Sequence, residues 1–342
     1  VQALLEGGEV APKLRQLILE RAAGNPLFIE EFTHALLENG YIESKDQKYV
    51  LSHLASDIQI PENIQGLIAA RIDRVEENLK QIMQVASVIG REFAYRILQS
   101  TMGINEDLKP HLYNLQSLEL IYEKNLFPEL EYIFKHALIQ EVAYYSLLAS
   151  RRKELHSKVG QAMESIFSER LSEFSSIIGG HFLQGERWER AFYFLDKAGD
   201  AAARLFAHAE ARVHFAHALK ALAHLENTED NRRQRVDTII KQTISSWRAD
   251  SPEQNLKRLA EAEKLANELN IAEGTSEDDR LRLARVHFWL GRVYYSRGEM
   301  PKAMQYFKQV LPIAQEAADP ELIAIPSGAI GQAMAPDGMA IS

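Results

Sequence analysis

A chain of 342 residues, 46% hydrophobic and 25% charged, has the balance of a globular protein with room for two or three domains and a substantial core. The absence of cysteine excludes disulfides and thiolate metal sites and suits a reducing compartment, and a net charge of -9 argues against a general polyanion binder. No apolar run approaches the roughly 20 residues of a membrane span, and Val1 to Val10 lacks the basic and apolar regions of a signal peptide, so a cytoplasmic setting without membrane contact is expected.

Both ends read as cuts through something longer: the chain opens on valine, and Pro336 to Ser342 trail off after an apolar segment. Near the start, Leu14, Leu17, Ile18 and Arg21 follow helical spacing, and Gly24-Asn25-Pro26 ends that helix. A second helix carries Leu27, Phe28, Phe32, Leu36 and Leu37 on one face and stops at Gly40. Ile42 to Leu51 fits a short hairpin or loop, after which Pro61 opens a helix with Ile64, Leu67, Ile68 and Ile72 inward.

Residues 61–150 have the pattern of a winged helix. Leu79 to Ile89 is a strongly apolar helix stopped by Gly90; Phe93 to Met102 gives a second, and Asn105 to Leu118 a third with Asn105 as N-cap. Leu120-Ile121-Tyr122 and Tyr132-Ile133-Phe134 flank a polar loop containing Pro128, the pattern of a hairpin or wing. His136 begins the next helix, with Leu138, Val142, Tyr145 and Leu148 expected inward.

From about residue 151 strand signals disappear. Leu290, Gly291, Tyr294, Ala303 and Phe307 match the tetratricopeptide pattern; Ile178, Gly179, Phe182, Ala191, Leu195 and Ala198 fit it more loosely, and Ala211, Phe215 and Ala218 supply another second helix. Small residues let paired helices approach while an aromatic fills the groove between them. The fold expected is mostly α: a helical lid over 1–60, a winged-helix domain with a small β-hairpin over 61–150, and a truncated α-solenoid of degenerate tetratricopeptide-like repeats over 151–342.

Two strings carry a family resemblance. Gly24-Asn25-Pro26-Leu27-Phe28-Ile29-Glu30-Glu31, followed by an apolar helix ending at Gly40-Tyr41-Ile42, resembles the glycine-any-proline element in the lid of signal-transduction ATPases with numerous domains, the STAND class of AAA- and NB-ARC-like ATPases. Phe134-Lys135-His136-Ala137-Leu138-Ile139-Gln140-Glu141-Val142-Ala143-Tyr144 is similar to the winged-helix histidine element of that family. The resemblance implies that Pro26, with Gly24 and Asn25, lies against a bound nucleotide, and that His136 touches the β-phosphate of ADP. A proline presents a rigid apolar face without a competing N–H, and a helix N-terminus favours an anion. Ala137 stands where plant and animal relatives have aspartate. The segment Val88-Ile89-Gly90-Arg91-Glu92-Phe93 also resembles bacterial members, though it reads better as a packed helix junction with a solvated Arg91.

What is missing decides the chemistry. None of the 18 glycines is followed by lysine, so there is no phosphate loop, and no apolar strand ends in paired acids suited to magnesium. The chain is therefore expected not to be an enzyme by itself, and to meet ATP or ADP with magnesium only in a full-length parent that supplies an upstream nucleotide-binding domain. Such parents resemble bacterial ATPases fused to class III adenylate or guanylate cyclases, to protein kinases or to LuxR-type regulators. The repeat array would take a protein or small-ligand partner. His208, His214, His217 and His224 crowd one region, and His214 and His217 share a helical face, but without a supporting acid pattern they read as surface histidines and no metal is expected there. There is no His-Glu-x-x-His and no Gly-x-Ser-x-Gly. Two other readings stay open: a plain interaction scaffold, and a DNA-binding regulator. Against the latter, seven acids face three lysines between Glu106 and Glu141, and the candidate recognition helix has no arginine.

Overall fold

The computed structural model describes residues 5, 9–45, 48–52, 60–61, 63–104, 106–126, 129–270 and 276–334. Asn105, Pro128 and the tail from 335 lie outside the described residues. The chain is mostly helical and divides into two compact units, residues 1–162 and 163–342.

The first unit opens with β1 (Glu9–Val10), α1 (Pro12–Ala22) and α2 (Pro26–Glu38). The break between the helices is built by Ala23 and Gly24, both left-handed with φ of 47° and 83°. Asn25 then caps α2, its side chain accepting from the N–H groups of Leu27 (3.1 Å) and Phe28 (3.3 Å), while Pro26 takes the first helical position, where an N–H has no partner to lose. Of the hairpin or loop expected over Ile42 to Leu51, the strands are present, β2 (Ile42–Lys45) antiparallel to β3 (Lys48–Leu51), with β1 added in parallel to β3. Leu14, Ile18, Phe28, Phe32, Leu36 and Ile42 close the core of this part.

The next helix, α3 (Ile64–Asp73), starts three residues after Pro61, because Asn63 caps it by accepting from the Gly66 N–H at 2.7 Å. It is followed by α4 (Glu77–Ile89), β4 (Glu92–Ala94), α5 (Tyr95–Met102), α6 (Lys109–Ser117), β5 (Ile121–Asn125), β6 (Glu131–Phe134) and α7 (Ala137–Tyr145). The hairpin of β5 and β6 gains β4 as a third strand in the order β4-β6-β5. Phe93 and Tyr132 pair across it with stacked rings 5.8 Å apart.

Three expectations change here. Residues 92–94 are strand, so the helix after Gly90 begins at Tyr95 and not at Phe93. The helix expected from Asn105 begins at Lys109, where Asp107 Oδ1 accepts from the Lys109 N–H at 3.0 Å. The buried face of α7 is Ile139 and Ala143, continued by Leu147, while Tyr145 and Leu148 face solvent at 70% and 77% exposure. An i, i+4, i+8 stripe turned the helix about one residue from the expected face.

His156, on α8 (Ala149–Ile166), is buried and lies 3.0 Å from Tyr144 Oη. Burial, with Arg152 adding to it, pushes its pKa down to about 4. An unfolded histidine titrates near 6.5, so as pH falls the unfolded chain takes the proton first and stability is lost between ~6.5 and about 4. The full loss below that window is on the order of 3 kcal/mol. Urea unfolding at pH 7, 5.5 and 4 should show it, and His156→Gln should flatten the slope; an unchanged slope in that variant would assign the acid sensitivity elsewhere.

The second unit is a helical repeat array: α9 (Leu171–Gln184), α10 (Trp188–Arg204), α11 (His208–Leu222), α12 (Glu229–Ser246), α13 (Pro252–Asn270), α14 (Glu277–Ser296), α15 (Met300–Glu316) and α16 (Pro320–Met334). From α9 to α16, each helix packs on the next. The small-residue logic of the sequence is visible in three places. A Cβ on Gly179 would stand 2.8 Å from Leu195 Cγ, one on Gly199 2.4 Å from the Phe215 ring, and one on Gly291 2.5 Å from the Phe307 ring. In each case the glycine and its partner are sixteen residues apart. Gly199 joins the pattern through its contact with Phe215, and α10 thereby serves as partner to both α9 and α11.

Candidate functional site

The first unit brings the two family-like strings to one place. Gly24, Asn25 and Pro26 are exposed at the start of α2, and His136 occupies the N-cap position of α7 with extended backbone and no side-chain cap bond. The contact that joins the two strings runs through Glu30, one turn into the helix that Pro26 opens: Glu30 Oε2 lies 3.7 Å from His136 Nε2. Lys135 hydrogen-bonds the same glutamate and also donates to Glu119 Oε2 at 2.6 Å. His34, one further turn along α2, places Nε2 3.9 Å from Glu119 Oε2. The sequence singled out Pro26 and His136; Glu30, His34, Glu119 and Lys135 are what surrounds the histidine.

The charges in this cluster are matched. Burial opposes the Lys135 ammonium, yet its hydrogen bonds to Glu119 and Glu30 outweigh that and hold its pKa above the ordinary lysine value. Burial likewise opposes the Glu30 carboxylate, but Lys135 keeps its pKa lowered, and the Lys135 hydrogen bond lowers that of Glu119. Both lysine and carboxylates are therefore ionised at neutral pH. Glu119 itself has φ of 54°, an uncommon left-handed conformation for a side chain of this size, at the turn just before β5.

That turn is fixed by an arginine. Glu31 is only 2% exposed, and Arg71 Nη1 donates to both its oxygens at 3.0 and 3.1 Å. Arg71 Nη2 donates to the Leu118 carbonyl, the residue before Glu119. Neighbouring residues of α2 thus take opposite tasks: Glu31 anchors Arg71 from the buried side, and Glu30 faces Lys135 and His136.

The array carries a groove of about 620 Å³ whose wall includes Asp196, Asp237, Lys241, Arg282, Phe288 and Trp289. Lys241 donates to Asp196 Oδ2 at 2.8 Å and Asp200 Oδ2 at 2.9 Å, and Arg282 Nε to the two Asp237 oxygens at 3.0 and 3.1 Å. Burial raises the pKa of Asp196 and of Asp237, each in opposition to its cation. The groove is thus a mixed surface: paired charges beside an aromatic floor. Of the crowded histidines, His224 stacks on Trp188 with ring centres 4.0 Å apart, and burial pushes the His214 pKa below the ordinary histidine value, with His217 adding to the effect. Arg91 is exposed, as expected of a solvated side chain.

A family model described as a domain of unknown function (DUF8739) matches residues 1–49. No curated protein matches the chain. Among solved structures, the chain is similar to a Signal Transduction ATPase with Numerous Domains (STAND) protein with a tetratricopeptide repeat sensor from Pyrococcus horikoshii, at 11% identity and a TM-score of 0.31. That similarity covers 95% of this chain, and the chain spans 57% of the length of the archaeal protein. Among the described residues, no helix is long and apolar enough to cross a membrane.

Proposed function

We propose that the chain is the regulatory portion of a signal-transduction ATPase. In this reading residues 1–60 are the lid remnant, 61–150 a winged-helix domain and 151–342 a tetratricopeptide-like array, and a partner on the array biases the nucleotide state of a P-loop core ahead of residue 1. The observation that carries the reading is the approach of Glu30, on the helix opened by Pro26, to His136 at 3.7 Å. It places the lid-like and histidine-bearing strings side by side, as a shared nucleotide pocket requires. The order of α4, β4, α5, α6 and the hairpin supports the winged-helix reading, and the acidic balance of this segment favours an internal role over DNA contact.

The chain supplies two walls of such a pocket. Pro26 offers an apolar face to a nucleoside, and the Lys135 ammonium with the His136 ring beside it offers hydrogen-bond donors to a terminal phosphate, Glu30 yielding its place as the anion arrives. ADP thereby ties the helix α2 to the sheet, and a ligand that prefers the untied form releases it. Coupling of this kind is typically 1–3 kcal/mol, about 5–150-fold in affinity. ATP turnover, and the magnesium it needs, belong to the upstream core.

The test is nucleotide retention in the longer protein carrying a P-loop core. His136→Ala and Pro26→Ala should each speed ADP release roughly tenfold or more, equivalent to about 1.4 kcal/mol. The isolated chain should show no saturable ADP binding below ~1 mM, a free energy of about -4 kcal/mol. Unchanged ADP release in both variants, or tight binding by the isolated chain, would overturn the assignment.

A further inference from the structure

The cluster around Glu30 has a second chemical identity. Glu30 and His34 stand four residues apart on one face of α2, and Glu119 reaches them from the turn before β5. One ligand atom from each of the three lies within 4.8 Å of the others. The His34 and His136 Nε2 atoms are both buried and make no hydrogen bond. A buried ring nitrogen without a partner is unfavourable by roughly 1–3 kcal/mol, and Lys135, which satisfies the carboxylates, leaves these two nitrogens unmet.

We propose that Glu30, His34 and Glu119 bind a divalent transition-metal ion of the zinc type, with Lys135 as its built-in competitor. One imidazole and two carboxylates are a donor set such ions accept. Ligand bonds of about 2.0–2.2 Å require the three atoms to draw closer together, and the half-exposed Glu119 side chain has the freedom to do so. The dication neutralises both carboxylates at once, which frees the Lys135 ammonium to move to solvent along its flexible stem. His136, 3.7 Å from the other side of Glu30, borders the site and offers a further nitrogen. The bound ion would clamp α2 to the turn that presents Glu119, the same two segments that Lys135 now bridges.

This inference goes beyond the nucleotide reading and fails separately from it. The experiment titrates the full 342-residue chain with zinc by calorimetry and with cobalt(II) by visible absorption, without nucleotide. The expected result is one site per chain, weakened roughly tenfold or more by His34→Ala and by Glu119→Gln, a loss of about 1.4 kcal/mol each. Lys135→Met should tighten it, because the competing ammonium is gone; a merely structural cluster would not respond in that direction. The double variant His214→Ala/His217→Ala should leave the titration unchanged. No binding to the parent chain, binding that survives both His34→Ala and Glu119→Gln, or loss in the His214/His217 variant would overturn the proposal. ADP release in the longer protein is a separate readout, so a negative metal titration leaves it untouched.

Discussion

Replacing Phe307 with alanine should lower stability by about 3–5 kcal/mol. The ring is fully buried, and it fills the space that Gly291 leaves open between α14 and α15. The reciprocal change has a different physical origin. In Gly291→Ala the new methyl group would stand 2.5 and 2.7 Å from two ring carbons of Phe307, so ring or helix must move; overpacking of this kind costs about 1–3 kcal/mol. The two changes are expected to couple. Gly291→Ala should be far less damaging once Phe307 is alanine, with a coupling of about 0.5–3 kcal/mol in a double-mutant cycle read by urea unfolding. Strict additivity would show that the contact is not what sets the helix spacing. The same cycle at Gly199 and Phe215, where the approach is 2.4 Å, should give the same sign.

Arg71→Ala is the second large effect, an expected loss of about 3–5 kcal/mol. Its origin is the stranded partner and not the worth of the ion pair: the Glu31 carboxyl group would be left at 2% exposure with no cation to answer it. Arg71→Met combined with Glu31→Met should therefore recover most of the loss, since a buried ion pair can be replaced by apolar volume at little cost. Arg71→Lys should recover little, because a lysine cannot reproduce the forked contact to Glu31 while also reaching the Leu118 carbonyl. Thermal unfolding of the four proteins decides it. If the double methionine variant were as unstable as Arg71→Ala, the arginine would matter for some contact other than Glu31.

Much of this fold was readable from local patterns. The Asn25 cap followed by Pro26, the stripe of Phe28, Phe32 and Leu36, and the pairing of Gly291 with Phe307 all depend on residues no more than sixteen positions apart. Strand β4 was not readable, because three residues show no periodicity and their partner β6 lies about forty positions downstream. The facing of α7 failed for a related reason: Tyr145 and Leu148 are as apolar as Ile139 and Ala143, and only tertiary packing selects between two adjoining stripes. In the cluster, His136 was found through its neighbours in sequence. Glu30 and His34 have a legible four-residue spacing on α2, whereas Glu119 has no sequence signal, since its place depends on Arg71 holding the preceding carbonyl.

The uniform sixteen-residue separation of the glycines from their partners carries a kinetic consequence. Contacts that close over so short a stretch need little loop-closure entropy, and an array built from them has low contact order. Each interface forms from its two helices alone, so assembly can begin at any pair and spread outward. Because α10 is shared by two such interfaces, it has neighbours to lose on both sides, whereas α16, among the described residues, packs chiefly on α15 and only lightly on α14. Amide hydrogen exchange in this unit should accordingly be graded along the chain, slow at α10 and fast at α16, and not a single all-or-none opening.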